Sequence, residues 1–153
     1  MHCWLPIDFY TCFISYSSRD QQFVERLHAD LQANGIRCWF APRDLKIGDK
    51  IRSQVNEVIR IHEKLILVLS ESSISSHWME QEVERVMERE SRMNRTVLLP
   101  VRLDDAVMMV KSGWAGDIRR TRHVGDITQW RDHDSYNKAL SRLIRDLQAG
   151  IEG

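Results

Sequence analysis

The chain has 153 residues, and its 22 Lys plus Arg balance 22 Asp plus Glu to a formal net charge of zero. That balance argues against nucleic-acid binding through bulk charge and removes one barrier to self-association. No apolar stretch approaches the ~20 residues that a membrane span needs. A length of this order fits one domain, expected over 1–153 with its core at about 8–149, that buries roughly 70% of its unfolded surface.

Met1 to Tyr10 lacks a basic n-region and carries Asp8 in its short apolar segment, which argues against a signal peptide. Cys3, Cys12 and Cys38 form no Cys-x-x-Cys pair, and an odd total with Cys12 and Cys38 in predicted strands fits reduced core thiols in a cytoplasmic protein. The six histidines make no His-x-x-x-His or His-Glu-x-x-His pattern, so no metal site is expected.

Residues 10–16 read as the first strand, and Ser17 to Asp20 as a polar turn in which Asp20 can cap the next helix. Phe23, Leu27 and Leu31 recur at i, i+4 and i+8, giving a helix to about Asn34 with Gly35 as its left-handed cap. Residues 36–41 form the second strand. Pro42 to Asp49 is a loop, in which Pro42 removes a backbone donor and Gly48 permits a turn. A helix with Ile51, Val55, Val58 and Ile59 inward precedes the third strand, 64–69.

That third strand opens the unit around which the chain is organised. Leu65 to Leu69 is a continuous apolar run, suited to a strand buried on both faces of a parallel sheet. Serines crowd the next positions and predict a loop. A helix then starts near Trp78, with Met79, Val83, Val86 and Met87 as its inward stripe. Trp78 and Glu82 are four apart and share a face beside that stripe. An aromatic plate and a carboxylate thus sit together past a strand's carboxyl end, where open α/β sheets bind ligands.

Residues 96–101 are the fourth strand, with Pro100 setting its end near Val101. Asp104 to Arg122 is a short helix or a packed loop. Its Arg119, Arg120 and Arg122 are either an anion patch or a solvated face. Residues 123–127 make a short fifth strand. Tyr136, Leu140, Leu143, Ile144 and Leu147 define the last helix, with Gly150 closing it. Alternating strands and helices predict an α/β doubly wound parallel sheet.

Four landmarks in this order resemble the Toll/interleukin-1 receptor (TIR) domain family. They are Phe13-Ile-Ser-Tyr16 with Ser17 to Asp20; Cys38-Trp-Phe-Ala-Pro-Arg-Asp-Leu45 with Gly48; Leu65 to Ser70; and Ser76-His-Trp-Met-Glu-Gln-Glu82. The second landmark looks like the bacterial branch. The resemblance implies a flavodoxin-like sheet of five parallel strands in the order 2-1-3-4-5 with helices on both faces. It also makes Pro42 to Asp49 the so-called BB loop.

Many TIR domains outside animal receptor signalling cleave nicotinamide adenine dinucleotide (NAD+), and their hallmark is a Glu four residues after a Trp. Trp78 and Glu82 match it. The resemblance therefore implies NAD+ as substrate, no added cofactor, Glu82 as the catalytic carboxylate and Trp78 as a ring that stacks on nicotinamide. The product would be linear or cyclic, and the setting bacterial defence or virulence. Breaking the nicotinamide–ribose bond leaves an oxocarbenium-like centre, which a carboxylate stabilises.

Ser17 and Ser18 occupy the family's phosphate-side positions, and Arg43 and Lys46 fall in the BB loop, where ligand-facing side chains are common. Partners implied are other TIR domains, in a homo-oligomer or filament built through the BB loop. Plainer readings stand beside these. Glu82 could be one solvated acid among Glu80, Glu84, Glu88 and Glu90, and Trp78 a staple of the helix start. Ser18 or Asp20 could simply cap a helix, and Lys46 could be an exposed loop lysine. The rival function is a non-enzymatic scaffold that docks other TIR domains. A receiver-like nucleotide binder lacks support, since the first strand is followed by neither an acidic cluster nor a Gly-x-Gly-x-x-Gly loop.

Overall fold

The third strand's apolar run sets the centre of the molecule. In the computed structural model, which describes residues 12–42, 64–75, 77–93 and 97–152, every residue of β3 (Lys64–Leu69) is buried. β1 (Cys12–Tyr16) lies on one side of it and is buried throughout. β2 (Cys38–Pro42) flanks β1, while β4 (Leu98–Arg102) and β5 (Gly125–Asp126) continue the sheet beyond β3. The order is β2-β1-β3-β4-β5, and all four pairings are parallel.

Strand alternation divides the core between the two faces. Cys12, Ile14, Tyr16, Ile66 and Val68 pack against α1 (Gln21–Ala33) and α5 (His133–Glu152). Phe13, Leu65, Leu67 and Leu69 pack against α3 (His77–Met93) and α4 (Gly113–Thr121). The apolar periodicities of the first and last helices are borne out: Phe23, Leu27 and Leu31 are buried on α1, and Tyr136, Leu140, Leu143 and Leu147 on α5. Gly35 takes a φ of +79° just beyond α1, the left-handed conformation expected of it. Gly150 does not close α5, which runs on to Glu152. The loop after Pro42 and the helix expected around Ile51 to Ile59 lie outside the described residues.

β5 is two residues long, against an expected 123–127, and β4 shows why. The Leu103 N–H donates to the Leu69 carbonyl, so odd-numbered residues of β4 bond β3 and even-numbered ones face β5. Of the even positions, Pro100 has no N–H to offer. Leu98 has both backbone groups taken by side chains: its N–H donates to Glu90 Oε2 at 2.7 Å, and its carbonyl accepts from Arg122 Nη1 at 3.3 Å. Below Val101 a longer fifth strand would meet the Pro100 carbonyl but no free N–H on that edge.

The serine-rich stretch after β3 also departs from expectation. It forms a short helix, α2 (Glu71–Ile74), rather than an open loop. The Ser73 N–H donates to Ser70 Oγ at 3.3 Å, and the Ser70 N–H donates to Ser73 Oγ at 2.8 Å. This reciprocal cap satisfies both hydroxyls, so Ser70 and Ser73 can be buried.

Candidate active site

The chain leaves β1 for β2 on one side and reaches β3 on the other, so the sheet's topological switch lies at β1 and β3. Their carboxyl ends, at Tyr16 and Leu69, frame the crevice where such sheets hold ligands.

The segment after β1 is a single 3-10 turn, Ser18–Asp20. Ser17 caps it, its Oγ accepting from the Arg19 N–H at 3.4 Å, and is itself buried, whereas Ser18 and Arg19 are exposed. The capping reading thus holds for Ser17 rather than for Ser18 or Asp20. Asp20 occupies the start of α1 but makes no cap bond there. Its carboxylate instead accepts the Ser70 hydroxyl across the crevice at 2.5 Å. Ser15, on the sheet face that α3 covers, buries a hydroxyl with no hydrogen-bond partner among the described residues.

On α3 the buried positions are Met79, Glu82, Val83 and Val86, spaced i, i+3, i+4 and i+7. Glu82 is therefore part of the inward stripe, at 3% exposure, while Glu84 and Glu88 are exposed. The solvated reading of Glu82 does not fit this placement. Arg85 Nη1 lies 3.7 Å from Glu82 Oε2, but its own side chain is 58% exposed and too remote for a strong pair. A carboxylate held in an apolar stripe is desolvated, and a cation brought beside it is attracted more strongly than in water.

Of the six expected site residues, Ser17 and Ser18 lie just past the end of β1, and Glu82 is buried on α3. Trp78 lies one turn before Glu82 on α3, and only its backbone place is described. Arg43 and Lys46 lie outside the described residues. Sequence reasoning missed the Asp20–Ser70 bond; the spacing Ser70-x-x-Ser73 was the available signal, since it resembles a capping box. It also missed Glu90, which accepts from the Val97 and Leu98 N–H groups and from Arg122, tying α3 to β4 and to the end of α4.

The other basic residues are bonded internally rather than arrayed as an anion patch. Arg119 donates to the Val110 carbonyl, and Arg120 to the Lys111 carbonyl and to Asp117. Among the described residues no group of three or more His, Cys, Asp or Glu is placed to hold a metal, and no helix is long and apolar enough to cross a membrane. A cavity of about 480 Å³ opens at the far edge of the sheet between β4, β5 and α5, and none of the six expected site residues lines it.

A parallel sheet whose strand order reverses at β1, with helices packed on both faces, defines a doubly wound α/β domain. The chain belongs to the TIR domain family, whose model matches residues 12–144. It is similar to the 2′ cyclic ADP-D-ribose synthase AbTIR of Acinetobacter baumannii (strain 1295743), 31% identical over 90 residues that cover 58% of this chain and 34% of that protein. It is similarly related to the 2′ cyclic ADP-D-ribose synthase BtTIR of Bacteroides thetaiotaomicron, 31% identical over 97 residues that cover 63% of this chain and 33% of that protein. The chain thus spans about a third of the length of these curated relatives. Among solved structures, the TIR domains of the activated Roq1 resistosome share the fold, with a TM-score of 0.71 and 19% identity over 90% of this chain and 99% of that one.

Proposed function

We propose that this domain cleaves the bond between nicotinamide and ribose in NAD+, with Glu82 as the catalytic residue. The observation that carries this reading is the burial of Glu82, at 3% exposure, within the apolar stripe of the helix that follows the central strand. The kinship with two proteins named as 2′ cyclic ADP-D-ribose synthases supports it.

As the glycosidic bond breaks, its electron pair passes to the ring nitrogen, and the pyridinium leaves as neutral nicotinamide. The positive charge that develops at the ribose faces the Glu82 carboxylate. A water then adds to give ADP-ribose and a proton. Alternatively a hydroxyl of the substrate adds, which gives a cyclic product and a proton. NAD+ is the substrate, and the reaction needs no further cofactor. Trp78 stacks on the nicotinamide ring. Ser17 and Ser18 serve the phosphate side of the substrate, and Arg43 and Lys46 are its substrate-binding residues from the BB loop.

The reading extends to the whole chain. Residues 1–153 form one flavodoxin-like domain of five parallel strands with its core at about 8–149. It acts in the cytoplasm, in bacterial defence or virulence, and self-associates through its BB loop. The test is incubation with NAD+ at high protein concentration, followed by chromatography. Nicotinamide together with linear or cyclic ADP-ribose is expected. Unchanged NAD+ in every assembled state would leave the domain a docking module.

A further inference from the structure

We infer that Asp20 and Ser70 are positioning residues for this reaction, which hold the loop after β1 at a fixed distance from the loop after β3. The inference rests on the NAD+-cleaving reading and adds to it two residues that need not touch the substrate.

An Asp at a helix start ordinarily takes one of the helix's own unbonded N–H groups. Asp20 stands at the start of α1 and makes no such bond. Its Oδ2 accepts the Ser70 Oγ–H at 2.5 Å, across 50 residues of sequence. A hydroxyl–carboxylate bond is among the stronger hydrogen bonds a protein makes, and partial burial strengthens it.

Ser70 is held in turn. Its oxygen accepts the Ser73 N–H at 3.3 Å, and Ser73 Oγ donates to the Val68 carbonyl at 2.8 Å. Ser70 is thereby fixed to the end of β3, and its hydroxyl proton is committed to Asp20. On the other side, Asp20 closes the turn opened by Ser17, where the Asp20 N–H donates to the Ser17 carbonyl at 2.8 Å. Tyr16 adds a second brace, its hydroxyl donating to Gln21 Oε1 at 2.5 Å.

The bond thus connects two segments with different duties. The Ser17–Asp20 turn presents Ser18 and Arg19 to solvent beside the phosphate side of the proposed site. The Ser70–Ser73 cap opens α2, and the next helix in the chain, α3, carries Glu82. A dinucleotide held at its phosphates and cleaved at its ribose needs those two segments at one separation. Contacts to the phosphates act on the ground and transition states alike, so loosening the turn appears in KM more than in kcat.

The experiment measures kcat and KM for nicotinamide release from NAD+ by the parent, Asp20→Ala, Asp20→Asn, Ser70→Ala and the double variant Asp20→Ala/Ser70→Ala, each with a melting curve. Asp20→Ala is expected to raise KM about tenfold with kcat within about threefold of the parent. Asp20→Asn keeps an oxygen that can accept the Ser70 hydroxyl and is expected to recover most of that loss. In the Asp20→Ala background, Ser70→Ala is expected to add little to KM, because the two act on it as a unit, while loss of the acceptor for the Ser73 N–H lowers the melting temperature. An unchanged KM in a folded Asp20→Ala variant overturns the inference, as does a loss confined to kcat that tracks the melting temperature. If the parent itself releases no nicotinamide, the reading of the function fails, and the inference with it. A working parent with indifferent variants defeats the inference alone.

Discussion

Glu90 offers a prediction whose magnitude follows from the structure without reference to function. Its Oε2 accepts the Val97 and Leu98 N–H groups at 2.7 Å each and Arg122 Nη1 at 2.8 Å, and Oε1 accepts Arg122 Nη2. The Glu90 side chain is 10% exposed and that of Arg122 21%. Val97 and Leu98 are each 1% exposed, so water cannot easily replace the lost acceptor. Glu90→Ala leaves two backbone donors unbonded at about 1 kcal/mol each, the low end for buried groups, and removes a charged bond worth about 1 kcal/mol more. The total is about 3 kcal/mol, or a fall in Tm of about 6–12 °C for a chain of this size.

The effect should depend on pH. Burial pushes the Glu90 carboxyl up, but the bonds from Arg122 and from the Leu98 and Val97 N–H groups outweigh it and hold the group below the usual carboxylate range. A carboxyl depressed by folding contributes stability that is present above the unfolded value of about 4.3 and lost as pH falls through the folded value. Thermal and urea unfolding, followed by circular dichroism, should therefore show a parent–variant gap that is full at pH 7 and shrinks below about pH 4. A gap under about 1 kcal/mol at pH 7, or one of the same size at pH 3, would refute the reasoning.

Further outcomes are expected for the cysteines, the BB loop and Trp78. Thiol titration under denaturing, non-reducing conditions should find all three cysteines free. In the folded protein Cys12 should resist alkylation, because its bond with Cys38, 2.8 Å away between the sulfurs, and burial hold its pKa well up. Nicotinamide release per molecule should rise with protein concentration, and Gly48→Pro should abolish that rise; a flat profile would remove the case for assembly through the BB loop. Trp78→Ala should cost less than loss of the carboxylate and act partly on KM, since stacking helps ground and transition states alike; a kcat as low as that of Glu82→Ala would show that the ring does more than stack.

The elements legible in the sequence were those whose signal is local. The Leu65–Leu69 run states its own burial on both faces, and the stripes on α1 and α5 state theirs by period. Glu82 could be singled out by the resemblance of the Trp78–Glu82 pair to the hallmark of NAD+-cleaving TIR domains, though the sequence could not say that it is buried while Glu84 is exposed. What escaped was long-range pairing. Nothing near Glu90 distinguishes it from the other glutamates of its helix, because its partner Arg122 is 32 residues away. Asp20 carried the right chemistry for a cap, and only the tertiary fold shows its carboxylate turned to Ser70, 50 residues on. The fifth strand was overextended for the same reason: side chains from two helix ends occupy the edge of β4 that it would have paired.

The central claim is that Glu82 faces the charge that develops when NAD+ is cleaved. The measurement that tests it most directly is nicotinamide release by the parent, Glu82→Ala, Glu82→Gln and Glu84→Ala at one high protein concentration, with melting curves to confirm folding. Parent and Glu84→Ala, altered at an exposed position of the same helix, should turn over alike. Both Glu82 variants should be slower on the order of 100- to 1000-fold, the usual loss for one preorganised electrostatic contact. A folded Glu82→Ala variant that turns over NAD+ at the parent's rate would contradict the account.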